Sequence, residues 1–557
     1  VKNPKEMAQL KKTVTTILSI LLTFSLMLAA GCSNQKGSEG ASNTNGNAAE
    51  SPEATEASEP VTIKIFAQMG AEADIAQNSF TKLVEEKFNI KFEWQTIPWD
   101  GAAEKRQISL ASGDYPDLYM LIPWVDKFSQ TDILRYSQQG VMVPLDDLIN
   151  EYAPNIKAAL DKYPYYKMMN TAPDGKIYSL TQLNECYHCS YPNKLWINSS
   201  WLEKLNLTVP QTLDEFKQVL EAFKTEDPNG NGTADEAPLS GIGADLIPFF
   251  MNGFIYNDGK TYLTLNNGKV EMAANKEEWK QGLQYMKSLY DEGLIDQSAM
   301  LENWDEFKKL GDNGTLGAGA AMHPNVFVSG GTDNSKNYDA VPPLAGPSAS
   351  YATYNYPVDS GATFVLTNKA SKETQIAAIK LVDYLFTQEG QIRGHFGEEG
   401  LDWRKPQAGD VAIDESATPS LATIPGKEGE PPHNSNWGAM AQYFQPKEFR
   451  SSWVASTEIY ESAGYERRLQ EATNLYDGKQ PKEIFPHWAI WIDPSVADEA
   501  AMLQTNIKNY IDQGMLKFIT GNKDLNKDWD EYVNGLDKLN LKRYLEIMQQ
   551  SYDTSYN

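Results

Sequence analysis

An α/β fold divided into lobes is predicted by three observations. First, residues 61–94 read as strand, helix, strand. Val61-Thr62-Ile63-Lys64-Ile65-Phe66 alternates as a half-buried strand does, Asp74 to Phe88 carries apolar residues at helical spacing, and Ile90 to Trp94 returns to a strand pattern. That order calls for crossover connections and hence for α/β architecture. Second, the roughly 500 residues beyond the N-terminal stretch suit two or more lobes rather than one core. Third, no internal repeat is evident, and no apolar run after Ala30 could span a bilayer, which leaves soluble lobes.

Ahead of the first strand, a basic leader (Lys11, Lys12) runs into the apolar segment Val14 to Ala30, which closes on Leu28-Ala29-Ala30-Gly31-Cys32 and a polar tract. Basic, apolar and small residues in this order read as a lipoprotein signal peptide over residues 1–31. The apolar segment is short for a membrane span, and cleavage before Cys32 frees its thiol and amine for acylation by palmitate or a similar fatty acid. Such boxes usually carry Leu three residues before the Cys; here Ala29 stands there and Leu28 one step earlier. Met7 is a more natural start than Val1. Residues 32–59 are mainly Ser, Asn, Gly, Ala, Glu, Thr and Pro without an aromatic residue, so they cannot bury enough surface to fold. They read as a flexible tether spanning on the order of 30 Å. The chain is thus expected at the outer face of a cell membrane, held by lipid.

Acidic residues outnumber basic ones, 75 to 49, for a net charge of −26. Removing residues 1–31, with four Lys and one Glu, makes the remainder more negative still. This balance opposes binding to nucleic acid or to an anionic membrane through a basic patch, so a neutral or locally charged ligand has to be captured by a pocket. The 13 Trp and 28 Tyr offer flat faces that stack on sugars, although core packing accounts as well for any one of them. Of the three Cys, Cys32 is assigned to lipid, and the others form Cys186-Tyr187-His188-Cys189. A local disulfide is the first reading outside the cell; a redox pair or half of a metal site is the other. With His188 as the one extra ligand nearby, zinc lacks support in the sequence.

Further helices are expected at Leu213 to Lys224, Glu277 to Leu294, Lys372 to Phe386 and Asp498 to Ile511. Between them stand segments with a family likeness. Leu110-Ala111-Ser112-Gly113-Asp114-Tyr115-Pro116-Asp117-Leu118-Tyr119 resembles the segment leading into a strand in extracellular solute-binding proteins of ABC importers. Gly361-Ala362-Thr363-Phe364-Val365-Leu366-Thr367-Asn368-Lys369-Ala370-Ser371, continued by Ala377 to Gly390, is similar to the late return of those proteins to their first lobe. Trp196-Ile197-Asn198 to Leu205 and Pro210 to Phe216 extend the resemblance through nearly the whole chain after the tether. It implies a two-lobed periplasmic-binding-protein-like fold (type II) with a hinge, a ligand clamped in the interlobe cleft, and a closure that changes the surface seen by ABC permease subunits. Lobe one is expected at residues 60–177 plus 360–405, lobe two at 178–359 plus 406–557, and the protein as a monomer.

The sharpest chemical motif is Asp227-Pro228-Asn229-Gly230-Asn231-Gly232-Thr233-Ala234-Asp235-Glu236. Oxygen donors stand at loop positions one, three, five and nine, with Gly232 at position six where the loop turns sharply, a spacing that aims alternate side chains at one hard cation. Position twelve, the bidentate Glu of an EF-hand, is Pro238, so Glu236 has to supply that carboxylate. The loop resembles the calcium loop of alginate-oligosaccharide-binding proteins. That likeness implies calcium held by side chains of Asp227, Asn229, Asn231, Asp235 and Glu236 and the carbonyl of Thr233, in a structural role. A polar, solvated turn is the alternative.

Sugar recognition combines aromatic faces with planar polar groups. Candidates in segments expected to border the cleft are Trp99, Trp124, Tyr187, His188, Trp304, His323, Trp403, Arg404 and Trp437. An Arg beside a Trp suits an acidic sugar, unless Arg404 pairs with Asp402 or Glu399. Phe485-Pro486-His487-Trp488-Ala489-Ile490-Trp491 reads as packing for the C-terminal helices. The expected function is a lipid-anchored receptor that captures an oligosaccharide, uronic acids included, for an ABC permease. An adhesin or sensor subunit is the alternative, and a glycoside hydrolase is less favoured because no motif singles out a carboxylate pair. No serine elbow or zinc helix appears, and Gly253 to Thr261 misses a phosphate loop by one residue.

Overall fold

The computed structural model describes residues 59–69, 74–301, 303–358, 360–425 and 433–556. Cys32, the signal peptide and the tether up to residue 58 lie outside the described residues.

Eight strands build two sheets: β1 Val61–Met69, β2 Ile90–Pro98, β3 Leu118–Met120, β4 Leu195–Asn198, β5 Ala237–Gly241, β6 Leu316–Ala320, β7 Tyr338–Val341 and β8 Phe364–Leu366. The first sheet has the order β8-β3-β1-β2, with β1 parallel to β2 and β3 and with β8 antiparallel at the edge. The second has the order β7-β4-β6-β5, parallel only between β5 and β6.

β1 opens with the alternation seen in the sequence, Ile63 and Ile65 buried and Lys64 exposed, but Phe66, Ala67 and Gln68 are then all buried. A central parallel strand covered on both faces has this character. Ile63, Ile65 and Ala67 join one core with Phe80 and Leu381, while Phe66 joins another with Tyr119, Phe128 and Trp491. The expected helix 74–88 is split. Asn78 caps the helix Ser79–Phe88 by accepting from the Phe80 and Thr81 N–H groups, after a short turn Ile75–Gln77. The helix expected over 498–511 is the middle of Pro494–Ile519, where Asp493 caps and Pro494 takes the first helical position. Its Ile507, Ile511 and Phe518 pack with Phe216, Phe250 and Trp279 in the core of the second sheet.

Assignment to the two cores departs from the expected lobe boundaries in one respect. Leu180, Leu183, Trp437, Met440 and Tyr443, all expected in lobe two, belong to the first core. Short pairings fix them there: Leu180 bridges Phe364, and Leu183 pairs in parallel with Phe444. Two-residue pairings of this kind carry no periodic pattern in sequence. Among the described residues no helix is long and apolar enough to cross a membrane.

Candidate functional site

A cavity of about 520 Å³ is lined by residues from segments that flank both sheets. Pro123, Trp124 and Lys127 follow the carboxyl end of β3, where ligands of parallel sheets collect, and Ser360 precedes β8; Lys260, Tyr356 and Trp488 come from the side of the second sheet.

Aromatic rings form one wall. Trp488 stacks on Tyr356 with centroids 5.4 Å apart and meets Tyr354 edge-on at 6.2 Å; Tyr354 in turn packs on the second core. Tyr356 also touches Tyr165, centroids 5.1 Å apart, and Tyr165 packs on the first core, so the ring cluster ties the two halves. Trp124, 56% exposed, lines the same cavity and leaves its face available to a ligand.

Amides form another wall. Gln182 is 2% exposed and donates from Nε2 to the Ala439 carbonyl at 2.8 Å, which leaves its Oε1 buried without a hydrogen-bond partner. Asn355 likewise keeps a buried, unpartnered Oδ1. An unpaired buried acceptor costs about 1–3 kcal/mol. Asn184 is held by Gln442 Oε1 at 3.0 Å and by Arg450, whose guanidinium donates to Asn184 Oδ1 at 2.7 Å.

At one end of the cavity lies the turn Cys186 to Cys189, closed by a disulfide. His188 and Arg450 line this cavity and a smaller, more polar one of about 300 Å³ that also contains Tyr187, Lys447, Asn474 and Asp477. Burial, helped by the positive charges of Arg450 and Lys194, lowers the His188 pKa to about 3, so the imidazole is neutral near pH 7. Lys194 is fully buried, and burial lowers its pKa to about 7; its ammonium donates to the carbonyls of His188 at 2.9 Å and Tyr191 at 2.5 Å.

Of the residues singled out in the sequence, Trp124, Tyr187 and His188 stand at these cavities. Trp437 is instead a core residue that donates to Thr81 Oγ1 at 2.8 Å and packs edge-on against Phe80. Trp403 is buried with Ile392 and Leu421, its indole N–H given to the Gly397 carbonyl. Arg404 forks onto Asp410 at 2.6 and 3.2 Å, a partner other than the two weighed in the sequence. His323 packs edge-on to Tyr465, and its Nδ1 is buried without a partner. Trp99 and Trp304 are about half exposed, at the end of β2 and at the start of the helix Trp304–Asp312, and line neither cavity. The segment read as packing is divided: Phe485 and Ile490 are core, Trp491 packs behind the first sheet, and His487 and Trp488 line the cavity. Tyr356, Gln182, Asn184 and Asn355 were missed. The cluster Tyr351, Tyr354, Tyr356, just ahead of the return strand, was the one sequence signal for them.

The oxygen-rich loop folds on itself. Asp227 Oδ1 accepts from the Gly230 N–H at 2.9 Å and Oδ2 from the Gly232 N–H at 3.0 Å; both glycines are left-handed, with φ of 75°. Asn229 and Asn231 turn their amides onto Asp235 Oδ1, each at 3.0 Å. Glu236 Oε1 is buried with no hydrogen-bond partner. The oxygen-donor spacing of Asp227, Asn229, Asn231 and Asp235, with an unpartnered carboxylate oxygen on Glu236 next in sequence, fits a hard cation.

Comparison with known proteins places these features in context. A family model described as bacterial extracellular solute-binding protein matches residues 72–392. The fructooligosaccharide ABC transporter substrate-binding protein FusA of Streptococcus pneumoniae is 29% identical over 96% of this chain and 97% of its own length. The structure of FusA in complex with kestose superimposes with a TM-score of 0.67 at 27% identity, covering 88% of this chain and 99% of that one. An EF-hand mutant of FusA in complex with fructo-nystose gives a TM-score of 0.66 at 26% identity, over 88% and 99% of the two chains. Lipoprotein LipO of Bacillus subtilis is 24% identical over 69% of this chain and 72% of its own.

Proposed function

The chain belongs to the bacterial extracellular solute-binding proteins, and from that premise we propose that it captures an oligosaccharide in the cavity lined by segments that flank both sheets and delivers it to the permease subunits of an ABC importer. Members of this family bind and hand over solutes; they are not enzymes. The observation that carries the choice of ligand is the set of rings Trp488, Tyr356 and Trp124 that line one cavity together with the amide side chains of Gln182, Asn184 and Asn355. Flat rings suit the C–H faces of sugars, and fixed amide oxygens suit their hydroxyls.

A neutral oligosaccharide is favoured over a uronic one, because Arg404, the basis of the acidic reading, is engaged by Asp410. The kestose and fructo-nystose bound by FusA point the same way. Calcium in the loop Asp227 to Glu236 ties down one side of the second half; the orphaned Glu236 oxygen and the existence of an EF-hand in FusA support this. Attachment by lipid at Cys32 completes the reading and is supported by the leader sequence and by the likeness to lipoprotein LipO.

A thermal-shift screen of the protein against neutral and uronic oligosaccharides tests the proposal, since a ligand that binds only the folded state must raise the Tm. A rise with neutral fructans or related oligosaccharides, with the sugar recovered unchanged, is expected. A rise confined to uronic oligosaccharides transfers the role of anchor to Lys127 and Lys260, which line the cavity. No rise with any sugar overturns the reading.

A further inference from the structure

The turn Cys186-Tyr187-His188-Cys189 does more than close a loop. The donor atoms of Cys186, His188 and Cys189 lie within 4.8 Å of one another. His188 Nε2 is 3.5 Å from Cys186 Sγ, the separation that zinc–sulfur and zinc–nitrogen bonds of about 2.3 and 2.0–2.1 Å impose on two tetrahedral ligands. The other ring nitrogen, Nδ1, faces Glu466 Oε2 at 3.7 Å. A metal-bound imidazole typically donates its second N–H to such a carboxylate. The Cα atoms of the two Cys are 5.2 Å apart, across the two-residue spacing common in metal-binding turns.

The turn is also held by bonds other than the disulfide. The Cys189 N–H donates to the Cys186 carbonyl at 3.2 Å, the Ser190 N–H to the Tyr187 carbonyl at 3.1 Å, and the Lys194 ammonium to the His188 carbonyl at 2.9 Å. The Tyr187 hydroxyl reaches Asn474 Oδ1 at 2.9 Å. These contacts keep the ligand set assembled once the sulfur–sulfur bond is opened.

We propose that in the reduced protein Cys186, Cys189 and His188 Nε2 bind one thiophilic divalent cation such as zinc, with Glu466 orienting the imidazole and the fourth coordination position open to the ligand cavity that both Cys line. The sequence offered only three donors; the fold adds the carboxylate behind the ring and the opening in front of the sulfurs. A phosphine with one water opens the disulfide, yielding two thiols and the phosphine oxide. Metal binding then releases the two thiol protons to solvent and leaves two metal–thiolate bonds. The site is distinct in chemistry from the oxygen-donor loop, which takes hard cations.

The test is titration of the phosphine-reduced protein with cobalt(II) in excess calcium, in a Cys32→Ser background so that only this pair supplies thiols. One cobalt per chain with a sulfur-to-metal charge-transfer band, absent before reduction and displaced by zinc, is expected. Cys186→Ser or Cys189→Ser removes the band's two-sulfur intensity. Glu466→Gln keeps the band but weakens binding about 10- to 100-fold. Loss of native circular dichroism on reduction, a native reduced protein with no such band, or a band of full intensity in either Cys variant overturns the proposal.

Discussion

The indole of Trp488 and the phenol of Tyr356 stack at 5.4 Å with their planes 28° apart, and both line the cavity formed by segments that flank both sheets. The pair presents one rigid apolar face built from side chains with few rotamers, so little freedom is lost when a sugar lies on it. Trp488→Ala removes most of that face. Affinity for the bound oligosaccharide is expected to fall about tenfold or more, from the loss of about 1.5 kcal/mol or more of stacking and burial. Isothermal titration checks this, and a Trp488→Phe variant should recover most of the loss.

Gln182 is the polar counterpart. Its Nε2 bond to the Ala439 carbonyl fixes the amide while Oε1 is unpartnered. Gln182→Met keeps the volume, removes the orphaned acceptor, and loses one hydrogen bond. The unliganded Tm should therefore change little, the two effects being of opposite sign and each about 1 kcal/mol, whereas sugar affinity should fall about tenfold. Equal losses of stability and affinity would mean that the amide serves packing alone.

Arg404 supplies the contrasting case. Its fork is satisfied by Asp410, and neither residue lines the cavity. Arg404→Ala is expected to leave oligosaccharide affinity within twofold of the parent and to change stability little, as for a surface ion pair.

These contrasts show which part of the molecule was legible in the sequence. The strand alternation of Val61 to Phe66 and the helices expected at Leu213 to Lys224 and Lys372 to Phe386 rest on local signals, and the corresponding elements stand where they indicate. Trp403, Trp437 and Trp488 look alike in sequence. What separates them is three-dimensional: two give their indole N–H to internal acceptors and are enclosed, while the third stacks in a cavity lined by segments that flank both sheets. Gln182 and Asn355 sit 173 positions apart, and no pattern along the chain joins them.

Calcium removal should be measurable without a sugar. Binding at Asp227, Asn229, Asn231, Asp235 and Glu236 satisfies the orphaned Glu236 oxygen and stabilises only the folded loop. At a calcium concentration 100 times the Kd, linkage gives about 2.7 kcal/mol. A chelator should lower the Tm, restored by calcium, and Asp235→Ala should abolish the response while its Tm stays near that of the chelated parent. A parent Tm indifferent to chelator and calcium would leave the loop a solvated turn.

Acid should weaken the fold through two histidines. Burial lowers the pKa of His188 to about 3 and of His395 to about 4, whereas an unfolded imidazole titrates near 6.5. Between pH 6.5 and about 4 the unfolded chain therefore binds up to two more protons than the folded one at these sites. The stability they contribute is complete above pH 6.5 and is lost as pH falls, by up to about 1.4 kcal/mol per pH unit for each. Asp245 works in the opposite sense: burial raises its carboxyl to about 6, so the folded state takes up its proton first and gains stability as pH falls toward the carboxylate's ordinary range. Lys194 and other buried groups also contribute to the parent slope, so variants have to isolate the histidines. Urea unfolding of the parent and of His188→Asn and His395→Asn between pH 7 and pH 4.5 should show each substitution making the decline shallower by up to one proton, and an unchanged slope in both would mean that neither imidazole is held neutral.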